Sequence, residues 1–302
     1  MTGWYTAVER YDVEHPSEDG RLRRLGRHRR FDSRSLSFAF PSAGVQVASV
    51  THARQIPILD QGDVGSCTGN AMTGALGTLP DFLDLPAAHP ALDEAEALRI
   101  YSAAEVIDGD GPYPPNDNGS SGLSVCKAAK NAGLISGYQW CMTTADIDAA
   151  LQSGPVLIGI DWYSSFDAPG ASGLIARRAG DYVRGGHELE LRGLDVAADE
   201  YLGDNSWGTG WGAGGSFRIK RALMQQLLSA GGDCVYPVPL SAPAPVPTPT
   251  PVPPTPGPTP PPDADHALWQ VAGPWAAQRR ERPDLVRLKD ALETWAADKG
   301  FA

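Results

Sequence analysis

The run NSWGTGWGAGGSFRI (residues 205–219) decides the fold once it is set beside DQGDVGSCTGNAMTGAL (residues 60–76) and the single GGH at residues 185–187. A thiol, an imidazole and a side-chain amide follow one another along the chain. Cys67 opens a segment with the composition of a helix. A helix N-terminus lowers a thiol pKa and aims backbone N–H groups at any developing oxyanion. Gln61, six residues upstream, carries an amide able to serve as a second oxyanion donor. Gly62 and Gly65 let the chain turn tightly enough for both donors to converge. Of six histidines (15, 28, 52, 89, 187 and 266), only His187 heads a strand-like run after two glycines. Asn205 begins a turn after another strand, where its amide can accept from the far N–H of an imidazole and fix the tautomer. Trp207 is placed to shield that hydrogen bond from water. Nucleophile, base, orienting group and oxyanion donor make the set used in thiol acyl transfer.

These residues also carry a resemblance. DQG-x-x-GSC, GGH and NSWGTGWGAGGSFRI resemble the papain family of cysteine peptidases, over about residues 52–236. The resemblance implies an α+β, papain-like two-lobe fold, with a helical left lobe, a β-barrel-like right lobe and a cleft between them. It implies Cys67 as nucleophile, His187 as base and acid, Asn205 as orienting residue and Gln61 as oxyanion donor. Gly65, Ser66, Gly186 and Trp207 fall at its substrate cleft. GSSG (119–122), with Ser120 and Ser121, is similar to the loop whose backbone pairs with an extended substrate. Gly159 falls near the pocket for the substrate's second side chain. The chain departs from the family's pattern at Val64, where many secreted members have a bridging Cys, and at Thr68, where they have Trp. Those departures resemble the bacterial and phage branch. Glu188 follows His187 where a small residue is usual, which alters the charge beside the imidazole. The family's long inhibitory prosegment is not recognisable in residues 1–50.

Working outward, residues 51–240 read as the globular body. Ser66 is placed to cap a helix from Cys67 to about Leu79. ALDEAEALRIYSAAEVI (91–107) has helical spacing, GDGPYPPNDNGSSG (109–122) is loop by its Gly, Pro and Asn content, and a third helix spans Leu123 to Ala132. From Pro155 the pattern turns to strand, at PVLIGIDW (155–162), HELELRGLD (187–195), EYLGDNSW (200–207) and SFRIK (216–220). Helices followed by strands argue for two separate lobes.

Residues 1–50 read as an irregular arm. Its basic run RLRRLGRHRR (21–30) is expected to be a solvated stretch, with a processing site or an anionic-surface contact as the alternative. Residues 241–262 hold twelve prolines and read as a polyproline linker, spanning on the order of 70 Å. Residues 263–302 read as two amphipathic helices, with Trp269, Trp275 and Trp295 between them. Forty residues without a disulfide or metal make a marginal fold, so this hairpin is expected to dock on a second copy, a partner or the body.

The net charge of −11 and pI near 4.9 argue against nucleic-acid binding. No apolar run is long enough for a membrane span, and the first twenty residues lack the apolar region of a secretory signal. A cytoplasmic or phage-particle location is therefore expected. Cys126, Cys141 and Cys234 are expected as buried thiols, and no cofactor or metal is implied. The expected activity is peptide hydrolysis through a thioacyl intermediate. A structural component built on the same body, or a hydrolase of cell-wall peptides, stands as the alternative.

Overall fold

The structure, a computed structural model, describes residues 6–9 and 24–241. The linker from residue 242 and the C-terminal hairpin lie outside the described residues. Chain order is β1 (Thr6–Glu9), β2 (Arg29–Asp32), β3 (Val50–Thr51), α1 (Cys67–Leu76), α2 (Asp81–Asp84), α3 (Glu94–Asp108), α4 (Gly122–Asn131), β4 (Gly137–Trp140), α5 (Thr144–Ala150), β5 (Val156–Tyr163), β6 (Leu174–Ile175), β7 (Val183–Asp195), β8 (Glu200–Asp204), β9 (Ser216–Lys220), α6 (Arg221–Ser229) and β10 (Asp233–Val238).

The helical half forms where the sequence supplies ends as well as apolar spacing. Asp93 accepts from the N–H groups of Ala95 and Glu96 at the start of α3, and Gly109, at φ 90°, closes it in the left-handed region. Ser121 caps α4 through the Ser124 N–H. Helix α1 stops at Leu76, three residues before the expected end, and Gly77 closes it. Ser66 does not cap α1. Its hydroxyl donates to Asn70 Oδ1 instead, at 2.9 Å.

The strand half is one eight-stranded sheet in the order β4-β10-β5-β7-β8-β9-β6, with β3 added to β7. Strand β5 lies between β10 and β7, which explains its unbroken apolar run. Its side chains alternate between two cores. Ile158, Ile160 and Trp162 join the sheet-side core with Phe166, Leu189, Trp207 and Trp211. Leu157 turns to the helical core with Met72, Leu76, Ile100 and Leu123. The sheet therefore lines both the seam between the lobes and the β-side interior. All four cysteines are free and buried.

One expectation fails. The basic run is not a solvated stretch. Leu25, Gly26, Arg27 and His28 are buried, and Arg27 is fully so. The run threads between the lobes and leaves as β2, which pairs antiparallel with β1. The reason is electrostatic: Arg24 meets Asp117, Arg27 meets Asp233, Arg29 meets Asp161 and Arg30 meets Asp108. Charge counted along the chain put the arginines in water, but the carboxylates that answer them lie far away in sequence.

Candidate active site

Helix α1 sets Cys67 at its first position, and α1 packs against β7. The backbone N–H groups of Glu188, the residue after His187, and of Gly26 in the basic run favour the ionised form of the thiol. The thiol thus lies beside the residue that follows His187 on β7.

His187 is fully buried, and its Nε2 lies 2.8 Å from Asn205 Oδ1. The same oxygen accepts from the Ser206 N–H at 2.8 Å, so Oδ1 is the acceptor and Nε2 carries the proton. Nδ1 is then the basic nitrogen, and it has no hydrogen-bond partner among the described residues. Trp207 packs against the imidazole with ring centres 5.0 Å apart, and Trp162 stands edge-on at 4.8 Å. Trp207 excludes water from the His187–Asn205 pair, as its place in the sequence suggested. Trp162 escaped the sequence reading, because in PVLIGIDW it looks like any other apolar strand residue.

Gln61 is locked in place. Its Oε1 accepts from Ser206 Oγ at 2.6 Å, and its backbone N–H donates to the Ser206 carbonyl. This leaves Nε2 to donate, and it does so to Val64 O at 2.8 Å and to Arg24 O at 3.0 Å. A backbone carbonyl of residues 24–30 therefore takes the donor expected for the oxyanion.

The other expected cleft residues sort into two groups. Ser120 pairs by backbone with the basic run: its N–H donates to Gly26 O and its carbonyl accepts from the His28 N–H. The Gly186 carbonyl accepts from the Arg27 N–H, and Gly65 lies under Gly26. A Cβ on Gly26 would come within 1.8 Å of Gly65 O, so only glycine passes there. Gly159 lies below the Arg27 guanidinium. By contrast, the Ser121 hydroxyl caps α4 and the Ser66 hydroxyl donates to the Asn70 side chain.

Burial governs the protonation of the site. Burial pushes the Cys67 thiol up to about 12, and the nearby Glu188 charge adds to the rise against the backbone N–H donors. Burial holds His187 down to about 3, opposed by the Asn205 hydrogen bond. With residues 24–30 in place the pair is a neutral thiol and a neutral imidazole, not the low-pKa thiolate that a helix N-terminus alone suggests. Excluding water removes more stabilisation from the ions than the helix end restores.

A family model described as papain family cysteine protease matches residues 93–235, a span that contains His187 and Asn205 and begins after Cys67. A gut-specific cysteine proteinase of Caenorhabditis elegans is 28% identical over 198 residues, 57% of this chain and 55% of that protein. Gamete and mating-type specific protein A of Dictyostelium discoideum is 29% identical over 184 residues, 55% of this chain and 40% of that protein. The chain thus spans about half the length of the curated relatives it matches. Among solved structures, xylellain, a cysteine protease from Xylella fastidiosa, aligns with a TM-score of 0.50 at 18% identity, covering 77% of this chain and 98% of its own. Procathepsin L 3 of Tenebrio molitor aligns with a TM-score of 0.52 at 19% identity, covering 72% and 76%. The fold is papain-like: α+β, in two lobes.

Proposed function

We propose that this chain is a papain-type cysteine peptidase, with Cys67 as nucleophile, His187 as base and acid, Asn205 as orienting residue and Gln61 as oxyanion donor. The observation that carries the reading is the buried His187–Asn205 pair, which fixes the tautomer and leaves Nδ1 basic on β7, the strand beside which the thiol lies. In the reaction Nδ1 takes the Cys67 proton, and the thiolate adds to the carbonyl carbon of a polypeptide. Gln61 Nε2 and the first-turn N–H groups of α1 hold the oxyanion. His187 returns the proton to the departing amine, and water then cleaves the thioester by the reverse relay. Residues 24–30 must leave the cleft first, because they take the Gln61 amide and the Ser120 backbone.

Finer points belong to the same proposal. Val64 and Thr68 favour a bacterial or phage origin; the curated relatives above are eukaryotic, and one structural neighbour is bacterial. Residues 263–302 are proposed as a docking module for a partner or a second copy. The test is casein hydrolysis by the full chain and by Cys67→Ala, with cell wall as the competing substrate. Loss of casein cleavage in Cys67→Ala supports the reading. Cleavage of cell wall alone, or of neither substrate, sinks it.

A further inference from the structure

Strands β10, β5 and β7 bring Asp233, Gly159 and Glu188 side by side. Gly159 is in register with Asp233 on one side and with Glu188 on the other. Residues in register on neighbouring strands share a face of the sheet. The middle position has no side chain, so a slot opens between two carboxylates. Gly122, at the start of α4, forms the opposite wall. A Cβ there would meet Glu188 at 2.9 Å and Asp233 at 3.3 Å.

Arg27 fills the slot. Its guanidinium hydrogen-bonds the Asp233 carboxylate and, at 3.2 Å, the Gly231 carbonyl, and its Nε lies 4.0 Å from Glu188. A Cβ on Gly159 would come within 2.5 Å of that Nε. Both Arg27 and Glu188 have fully buried side chains. Neither Glu188 oxygen, nor Asp233 Oδ1, has a hydrogen-bond partner among the described residues. A fully buried Glu188 and a half-buried Asp233 on either side of one gap favour a cation between them, whichever chain supplies it.

The backbone beside the slot is equally general. Arg27 stands opposite Ser120, which exchanges hydrogen bonds with the residues on either side of it. An extended peptide that replaced residues 24–30 would find the same backbone groups. Laid in the direction of residues 24–30, the residue opposite Ser120 would hold its side chain over Gly159, as Arg27 does.

We propose that Gly159, Glu188 and Asp233 form a specificity slot for a basic substrate side chain, arginine above lysine, and that Arg27 occupies it as the chain's own stand-in. The inference rests on the peptidase reading. A planar, forked guanidinium reaches carboxylates on both sides of a flat slot, whereas an ammonium is a point charge. Leucine would not offer Asp233 the hydrogen bond that Arg27 gives it and would leave the fully buried Glu188 without a cation beside it.

The test uses the full chain carrying Arg27→Ala, so that the slot is free. Blocked dipeptide coumarylamides vary the second residue from the scissile bond among Arg, Lys and Leu. Arg is expected to exceed Leu at least tenfold in kcat/KM, with Lys between them. Asp233→Asn should cut the Arg-to-Leu ratio at least tenfold, and Asp233→Glu should restore part of it. Casein cleavage without an Arg-to-Leu difference overturns the slot and leaves the peptidase reading standing. If nothing is cleaved, the peptidase reading falls and the slot is judged by binding. Calorimetry on the Arg27→Ala, Cys67→Ala chain then compares the blocked Arg and Leu dipeptides. Tenfold tighter binding of Arg supports the slot, and equal binding, or none of either, overturns it.

Discussion

Asn205 contributes through one oxygen that accepts twice, from His187 Nε2 and from the Ser206 N–H. Alanine there frees the ring to rotate or change tautomer without touching substrate. Asn205→Ala should therefore lower kcat by about 10–100-fold, with KM little changed. Steady-state kinetics on a single peptide decide it, and a rise in KM alone would count against an orienting role. In the proposed mechanism Gln61 acts on the oxyanion itself, so Gln61→Ala should cost about 10²–10³ in kcat. An intact kcat would remove Gln61 from the mechanism. The thiol carries a pH signature. In the covered state it ionises only near 12, against an ordinary value of 9.0. Its alkylation at pH 7 should therefore be slow in the intact chain and should quicken when the cover loosens. Mass-mapped labelling at Cys67 reads this directly.

At the scale of elements, the short helix α2 starts with a conflict. Asp81 is buried, and neither of its carboxyl oxygens has a hydrogen-bond partner among the described residues. Burial, and then the charges of Glu190 and Asp84, raise it to about 8 from an ordinary 3.8. A carboxyl with a raised folded-state pKa binds its proton more tightly folded than unfolded. Its contribution to stability is therefore fully present below about pH 4 and is lost as pH rises through 8. Asp81→Asn should flatten this slope and gain about 1–3 kcal/mol at pH 8. Urea unfolding of both chains at pH 5 and pH 8 gives the comparison; equal slopes would show that Asp81 is not the source. Other elements follow cues that the sequence did hold. The capping box of Thr143 and Asp146 starts α5, although that helix was not among those expected.

At the scale of the whole molecule, residues 24–30 tie the lobes together and cover the chemistry. Their arginines reach Asp117 and Asp108 on the helical side, and Asp161 and Asp233 on the sheet. Gly26 is the point of closest approach, over Gly65. Gly26→Val cannot keep that path, because the clash is with backbone oxygen. It should raise casein hydrolysis and Cys67 alkylation at neutral pH together, by tenfold or more in the alkylation rate. Unchanged rates in both assays would mean that residues 24–30 already leave the cleft in solution. Arg29→Glu should act in the same direction through repulsion from Asp161, without altering any residue assigned to catalysis.

The sequence by itself determined the class of fold and suggested the chemistry proposed above. Cys67, His187, Asn205 and Gln61 could be proposed from sequence because a thiol, an imidazole and two side-chain amides each sit in a short run whose local conformation is set by neighbouring residues. The helices Glu94–Asp108 and Gly122–Asn131 and the strand Val156–Tyr163 were legible for the same reason, through caps, spacing and apolar runs. Only the tertiary structure decided the state of the site. The basic run looks solvated when its charges are counted alone, because Asp117, Asp161 and Asp233 lie between 93 and 206 residues away. The acidic slot was hidden likewise, since Gly159, Glu188 and Asp233 become neighbours only through strand register. Local sequence fixes what a residue can do, whereas pairing between distant segments fixes which charges meet and whether water reaches them.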